Sequence, residues 1–220
     1  MKKLVMFDMD GVLFDSMPNH AVAWRRTMAD LGCEYPDTVY YENEGRTGSS
    51  TIELLLGRKV SDEECRRIYD LKASYFDAMP KARPMPGAYD VVKAVRALGV
   101  PAIVVTGSGQ KLLMSRIAEA YDGMFRSEWM VCSADVKHGK PDPEPYLMGL
   151  QKAGVAPEDA VVVENAPLGV RSGHDAGCFV VAVNTGPLPD SCLLEQGADV
   201  LFHSMAELAE NIGIILDVNE

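Results

Sequence analysis

Short apolar runs alternate along this chain with stretches in which apolar residues recur every three or four positions. The first run, within residues 3–7 (Leu4-Val5-Met6-Phe7), stops at Asp8, as a parallel strand buried on both faces would. From about residue 16 to 84 the spacing turns helical. Trp24, Met28 and Leu31 follow one another at four and three, and Gly32 stands where a helix C-terminal cap belongs. Ser61 with Glu64 three residues on predicts a capping box, and the helix behind it carries Ile68, Leu71 and Tyr75 on one face. No strand is predicted in this stretch. Arg83-Pro84-Met85-Pro86-Gly87 punctuates the return to alternation. A helix at 88–98, a strand at 101–105, a helix at 109–120 and a short strand near 130–132 are expected next. A helix at 143–153, strand 160–163, helix 167–176, strand 179–183, strand 200–202 and helix 204–215 complete the chain.

Alternating strands and helices place the chain in the α/β class, with a doubly wound parallel sheet and helices on both faces. The sheet would be built from residues 1–15 and 85–220, with 16–84 inserted as a helical lobe. Such sheets carry their sites at the carboxyl ends of the strands. The polar residues that follow the apolar runs are Asp8 and Asp10, then Thr106-Gly107-Ser108, then Glu164-Asn165, while Lys140 precedes the helix at 143. These clusters should converge on one sheet edge.

Composition narrows the function. Apolar residues make up 47% of the 220 positions and charged residues 24%, enough apolar side chain to build a core. The formal charge of −11 argues against a nucleic-acid partner, which a basic face would serve, but leaves room for an anionic substrate bound by local charge. No apolar run has the length of a membrane span, and the N-terminal run is too short for a signal peptide. Five cysteines without close pairing fit reduced thiols. A cytoplasmic protein with no membrane partner, acting as a monomer, is expected.

Asp8 and Asp10, two apart in extended backbone, point to one face and share a pocket. With Glu164 added, the crowded carboxylates call for a hard cation with oxygen ligands, for which Mg²⁺ is the natural choice. One carboxylate can attack phosphorus to give an aspartyl-phosphate, and the second can protonate the leaving oxygen and later activate water. Thr106 and Lys140 offer a hydroxyl and a fixed positive charge to the phosphoryl oxygens. Gly107 and Ser108 let backbone N–H groups approach a phosphate at a helix N-terminus.

Asp8-x-Asp10-Gly11-Val12, Thr106, Lys140-Pro141 and Glu164-Asn165 resemble the four ordered motifs of the haloacid dehalogenase superfamily. The likeness spans essentially the whole chain, and the helical insert after the first motif resembles that family's small helical cap on a Rossmann-like core. Through Asp15-Ser16, His20 and Trp24 the chain is similar to the β-phosphoglucomutase-like branch. The resemblance implies Asp8 as nucleophile, Asp10 as general acid and base, and Mg²⁺ held by Asp8, the Asp10 carbonyl and the fourth-motif acid. It also implies that the chain is not a true dehalogenase, which uses no metal and usually lacks the second aspartate.

The departures from that pattern bear on substrate. Asn165 stands where a second fourth-motif acid is usual, keeping an oxygen ligand but losing a charge. Glu44, in Asn43-Glu44-Gly45-Arg46-Thr47-Gly48, and Gly109 stand where the mutase pattern calls for lysines that grip a second phosphate. Lys111, two residues along, would point elsewhere. The expectation is therefore a Mg²⁺-dependent phosphohydrolase for a small phosphorylated substrate, with inorganic pyrophosphate a candidate and a sugar-phosphate mutase the alternative. Glu44 would reach the core site and approach the cation, Arg46 would clamp a phosphoryl oxygen, and His20 would shuttle a proton.

Overall fold

The structure, a computed structural model, describes residues 1–108 and 111–217, the side chains of 111–115 excepted. The chain opens with strand β1 (Leu4–Phe7) and leaves the sheet for four helices: α1 (Met17–Asp30), α2 (Thr38–Glu42), α3 (Gly48–Leu56) and α4 (Asp62–Asp77). It returns through α5 (Ala88–Ala97), β2 (Ala102–Val104), α6 (Lys111–Ala120), α7 (Glu144–Ala153), β3 (Ala160–Glu164) and α8 (Pro167–Asp175). β4 (Phe179–Val183), α9 (Ser191–Leu194), β5 (Val200–Phe202) and α10 (Met205–Asp217) finish it. The five strands are parallel in the order β2-β1-β3-β4-β5.

Each central strand is apolar on both faces because each face meets its own helices. Val5 and Phe7 point into a core shared with α5 and α10, through Val91, Val92, Val95, Leu208 and Ile212. Leu4 and Met6 point the other way, against Tyr146 and Leu150 of α7 and Val170 of α8. The inserted helices have an apolar cluster of their own, in which Trp24 and Met28 meet Tyr40, Ile52, Leu55 and Ile68. Burial of this kind stabilises by roughly 25 cal/mol per Å² of apolar surface, so each cluster holds its helices together independently.

Three expectations change on contact with the structure. The strand near 130–132 shrinks to a single bridge between Val131 and Val105. A 3₁₀ turn at Ser127–Trp129 ends just before it, and the Cys132–Asp135 turn begins just after, so one residue is left to pair. Ser61 does cap α4, accepting the Glu64 N–H at 3.2 Å, but the Glu64 carboxylate turns to Arg58 in a forked pair at 2.6 and 3.0 Å instead of closing the box. The inward face of α4 is Ile68, Lys72 and Phe76, with Leu71 and Tyr75 half-buried at its flanks. A lysine at the centre of that stripe hides the true period.

Candidate active site

The edge formed by the carboxyl ends of β1, β2 and β3 gathers the acidic motifs around Lys140. Asp8 follows the last residue of β1, and Glu164 is the last residue of β3. Lys140, from the loop before α7, is 2% exposed and sets its Nζ between them, 2.5 Å from Asp8 Oδ1 and 2.6 Å from Glu164 Oε1, with the Val105 carbonyl at 3.1 Å. Burial opposes the lysine's charge, yet Asp8 and Glu164 outweigh it and hold the ammonium above its ordinary range. Both Glu164 oxygens have protein donors. Oε1 accepts from Lys140 and from the Tyr146 hydroxyl at 2.7 Å, and Oε2 from the Asn165 and Ala166 N–H groups. Gly169 makes room for this carboxylate, since a Cβ there would lie 1.9 Å from Oε1. The sequence offered Glu164 as a cation ligand; in the structure its Oε1 anchors Lys140.

Asp10 is held apart from that network. Its Oδ1 accepts from the Ser16 hydroxyl at 2.5 Å and lies 3.2 Å from His20 Nε2. Behind the imidazole, Lys72 Nζ sits 2.7 Å from Nδ1. An ammonium has only donors, so Nδ1 accepts and Nε2–H donates to Asp10. Lys72 itself is buried among Trp24, Tyr69 and Phe76, with its Nζ 4.9 Å from the Phe76 centroid. Burial pushes Lys72 down to about 8, and burial with the nearby Lys72 charge pushes His20 below its ordinary value. For Asp10, burial works against ionisation, but His20, Ser16 and Lys72 prevail and hold the carboxyl below its usual range. Lys72 escaped the sequence reading, where a lysine on an amphipathic helix reads as solvated. Its spacing of four from both Ile68 and Phe76 was the available signal.

The insert closes over this edge. Gly107, after β2, lies so near the Gly45 carbonyl that a Cβ would approach it to 2.5 Å. A cavity of about 70 Å³ remains between insert and sheet, lined by Asp8, Asp10, Thr106, Gly107 and Ser108 from the core and by His20, Glu44 and Arg46 from the insert. Every site residue expected from the sequence thus lies on this cavity or, as with Lys140, Glu164 and Asn165, directly behind its lining. Gly109 and the Lys111 side chain lie outside the described residues. Arg46 finds neutral partners, Asn43 Oδ1 at 3.1 Å and Ser50 Oγ at 3.2 Å. Thr106 Oγ1 accepts the Ser108 N–H, which orders the loop after β2.

Glu44 carries the strongest electrostatic signature on the insert side. Its carboxylate turns inward toward Asn165 Nδ2, at 3.3 and 3.4 Å, while Asn165 Oδ1 is buried without a hydrogen-bond partner. Burial, then Asp8, Asp10 and Glu164, push the Glu44 carboxyl well above its ordinary value. Asp8 is pushed up to about 8 by burial, with Glu164 and Asp10 reinforcing the rise and Lys140 resisting it. Among the described residues no three His, Cys, Asp or Glu side chains form a ready-made cage. The available donors are instead mixed: carboxylates short of positive charge and a carboxamide oxygen with nothing to bind. That set fits a hard divalent cation.

Known proteins resemble this chain over nearly its whole length. Hexitol phosphatase A of Escherichia coli (strain K12) is 32% identical over 206 residues, covering 92% of this chain and 91% of that protein. The phosphorylated carbohydrates phosphatase of Thermotoga maritima is 32% identical over 202 residues, with 90% and 92% covered. A beta-phosphoglucomutase-like protein from Bacteroides vulgatus superposes with a TM-score of 0.92 at 48% identity, over 96% of this chain and 88% of that one. A model of the haloacid dehalogenase-like hydrolases matches residues 2–177, from the strand that delivers Asp8 through the helix that follows Asn165. With its ordered motifs gathered at one sheet edge, the chain belongs to the haloacid dehalogenase-like hydrolases.

Proposed function

We propose that this hydrolase is a cation-dependent phosphatase that passes through an aspartyl-phosphate on Asp8 and acts on a compact anion, with inorganic pyrophosphate the leading substrate. One observation carries the reading: Asp8, fixed by Lys140, opens onto a cavity of only about 70 Å³ whose far wall includes the inward carboxylate of Glu44. On this measure one water needs roughly 10–15 Å³, so the cavity as it stands has room for a few waters' worth of ligand. A phosphoryl group with a small leaving group fits that space, and a hexose phosphate would hold the insert away from Gly107.

In this reading an Asp8 oxygen attacks phosphorus as the bond to the leaving oxygen breaks, and Asp10, which takes up a proton as the anion enters, gives it to that oxygen. Asp10 then takes a proton from water as the water attacks the aspartyl-phosphate, releasing phosphate and restoring Asp8. Lys140 offsets charge on Asp8 and the transferred oxygens, and His20 with Lys72 fixes the direction of the Asp10 carboxyl. Asp8, the Asp10 carbonyl, Asn165 and Glu44 would hold Mg²⁺. When bound, the ion supplies positive charge for the phosphoryl oxygens and for the carboxylates around it.

The names of the phosphatase relatives favour phosphorylated carbohydrates, and the Bacteroides vulgatus neighbour favours a mutase. Glu44 weighs against both when it serves the cation, because a carboxylate in that place crowds a bulky sugar, whereas the second phosphate of pyrophosphate would be offset by the ion that Glu44 helps hold. The test is a substrate panel at saturating Mg²⁺: pyrophosphate, glycerol phosphate, hexitol and hexose phosphates, and glucose 1-phosphate with a bisphosphate primer. Pyrophosphate should show the highest kcat/KM. A hexose or hexitol phosphate in first place would overturn the substrate, and glucose 6-phosphate formation outpacing phosphate release would overturn the hydrolase.

A further inference from the structure

The closed insert meets the sheet at residues on either side of Glu44 in the chain. After it, a Cβ on Gly45 would stand 3.0 Å from the Lys140 side chain, and a Cβ on Gly107 would stand 2.5 Å from the Gly45 carbonyl. Before it, Tyr41 of α2 sets its ring beside Gly186 in the loop after β4, where a Cβ would stand 3.7 Å from Tyr41 Cδ1. Tyr41 and Gly186 line one cleft of about 330 Å³ at the seam between insert and sheet. The core wall of that seam is fixed. Thr185 Oγ1 donates to the Gly11 carbonyl at 2.6 Å, and Asn184 Nδ2 donates to the Leu188 carbonyl at 2.9 Å and to Asp190 at 2.7 Å. The insert wall is bonded into a unit as well. The Glu44 N–H donates to the Tyr41 carbonyl at 3.4 Å, Asn43 Nδ2 to the Val39 carbonyl at 2.9 Å, and Arg46 Nε to Asn43 Oδ1 at 3.1 Å.

We propose that Tyr41 is the positioning residue for Glu44: its ring, seated against Gly186, sets how far the segment from Tyr41 to Arg46 enters the site and so holds the Glu44 carboxylate toward Asn165. Contact at Gly45 alone would leave the segment free to pivot there. A second contact three residues before Glu44 removes that freedom, because the turn between ring and carboxylate is closed on the Tyr41 carbonyl. A side chain that selects ligands is held in place by the packing of its neighbours in this way. The Tyr41 ring is half-buried, and burial, then the charges of Glu44, Asp37 and Asp15, push its phenol above the ordinary value. Glu44 leads those charges, which agrees with one unit carrying both groups. The bearing on substrate choice rests on the reading of Glu44 under the proposed function; the positioning does not.

The Asn165 side-chain amide reports the contact, because Nδ2 faces the Glu44 carboxylate at 3.3 and 3.4 Å. The probe is its ¹H–¹⁵N signal pair in the full chain in EDTA, without substrate, assigned through its loss in Asn165→Asp. Glu44→Ala supplies the position of the pair without the carboxylate, and adding Tyr41→Ala to it gives the direct effect of the ring, which is subtracted. Tyr41→Ala should then move the pair at least halfway to the Glu44→Ala position. Tyr41→Phe, which keeps the ring, should leave it where the wild type has it. A Cβ at Gly186 makes only an ordinary contact, so Gly186→Ala should change nothing. Gly186→Leu, whose longer side chain displaces the ring from the core side, should reproduce Tyr41→Ala, and it decides the matter if Tyr41→Ala does not fold. A wild-type signal in either folded variant would overturn the proposal, as would a Glu44→Ala signal that matches wild type. The second measurement is the ratio of kcat/KM for pyrophosphate and glycerol phosphate at saturating Mg²⁺. Tyr41→Ala should shift it by about threefold in the direction of Glu44→Ala, Tyr41→Phe should restore it, and the double variant should go no further than Glu44→Ala. A displaced amide with an unmoved ratio would support the positioning and overturn the role of Glu44 in substrate choice.

Discussion

On the sheet side of the cavity Lys140 meets two carboxylates, Asp8 at 2.5 Å and Glu164 at 2.6 Å; on the insert side Glu44 meets an amide and Lys72 an imidazole among aromatic rings. On the sheet side one ammonium is shared by two carboxylates within the fold. On the insert side Glu44 and Lys72 have neutral hydrogen-bond partners, and both are pushed toward their uncharged forms. Charge of that kind is completed by what binds. Under the proposed function, the sheet half carries the chemistry and the insert half selects its ligands.

The largest effect should come from the sheet half. Asp8→Asn keeps the shape and one oxygen but removes the attacking charge. Phosphate release should fall by about four orders of magnitude, with the melting temperature preserved or raised. A rapid-quench search for an acid-stable phosphoenzyme should find it in the wild type and lose it in Asp8→Asn. Comparable turnover in the folded variant would remove the aspartyl-phosphate.

The same substitution made in both halves sharpens the contrast. Lys140→Met strands Asp8 and Glu164 without a cation, and breaking a buried pair this way costs about 3–5 kcal/mol. Lys72→Met removes a buried ammonium whose hydrogen-bond partner is neutral and leaves an apolar chain among the same rings, so stability should stay within about 1 kcal/mol of wild type. Its cost should appear instead in the acid limb of the pH–rate profile, because His20 loses the group that fixes its tautomer. Urea unfolding of the two variants decides the matter. Equal destabilisation would erase the distinction between the halves.

A third effect, on the order of 2 kcal/mol, concerns pH without metal. Asp8 is pushed up to about 8, so below that pH the folded chain holds a proton that the unfolded chain, near 3.9, has lost. That contribution is fully present below the unfolded value and is lost as pH rises through 8. Glu44 acts with the same sign. His20, pushed down, works the other way, but only below its ordinary 6.5, and Lys72, pushed down to about 8, begins to matter only above 8. Between pH 6.5 and 8 in EDTA, stability should therefore fall. Saturating Mg²⁺ should flatten the slope, and Asp8→Asn should reduce it even without metal. A flat profile in EDTA would mean that the carboxylates do not repel one another as placed.

The sheet half was legible in the sequence because its residues sit at the ends of apolar runs, and run ends in a parallel sheet share an edge. Asp8, Thr106 and Glu164 follow from that rule alone. The insert half has no such rule. Lys72 lies in mid-helix, where its charge masked the inward stripe, and only the fold shows that the aromatic rings of Trp24, Tyr69 and Phe76 surround it. The anchoring of Lys140 by Glu164 was hidden for a different reason. An acid at a strand end reads the same in sequence whether it meets a cation or a lysine, and the turn of Glu164 to Lys140 depends on the room left by Gly169 and on Tyr146 arriving from the neighbouring helix. Glu44 was visible as a departure from a pattern, but its inward turn toward Asn165 required the closed insert.

The smallest effect is the one that most directly tests ligand selection by the insert. If Glu44 helps hold the cation against a compact anion, Glu44→Ala should weaken use of pyrophosphate more than use of a small monoester. A tenfold shift in the ratio of the two kcat/KM values corresponds to about 1.4 kcal/mol, close to one hydrogen bond to a charged group. Two terms set the sign. Removing the carboxylate relieves repulsion most for the more highly charged pyrophosphate, and takes one oxygen from the cation, which penalises the substrate that depends on it more. The two terms oppose, and the expected fall in the ratio requires the loss of the cation's oxygen to prevail. Glu44→Gln separates them, since the amide keeps an oxygen for the ion while losing the repulsive charge, and its ratio should stay at or above the wild-type value. The measurement is kcat/KM for pyrophosphate and for glycerol phosphate in the three proteins at saturating Mg²⁺. Equal ratios in all three would make Glu44 a loop residue that merely packs on Asn165, and selection would then have to reside in the volume of the closed cavity alone.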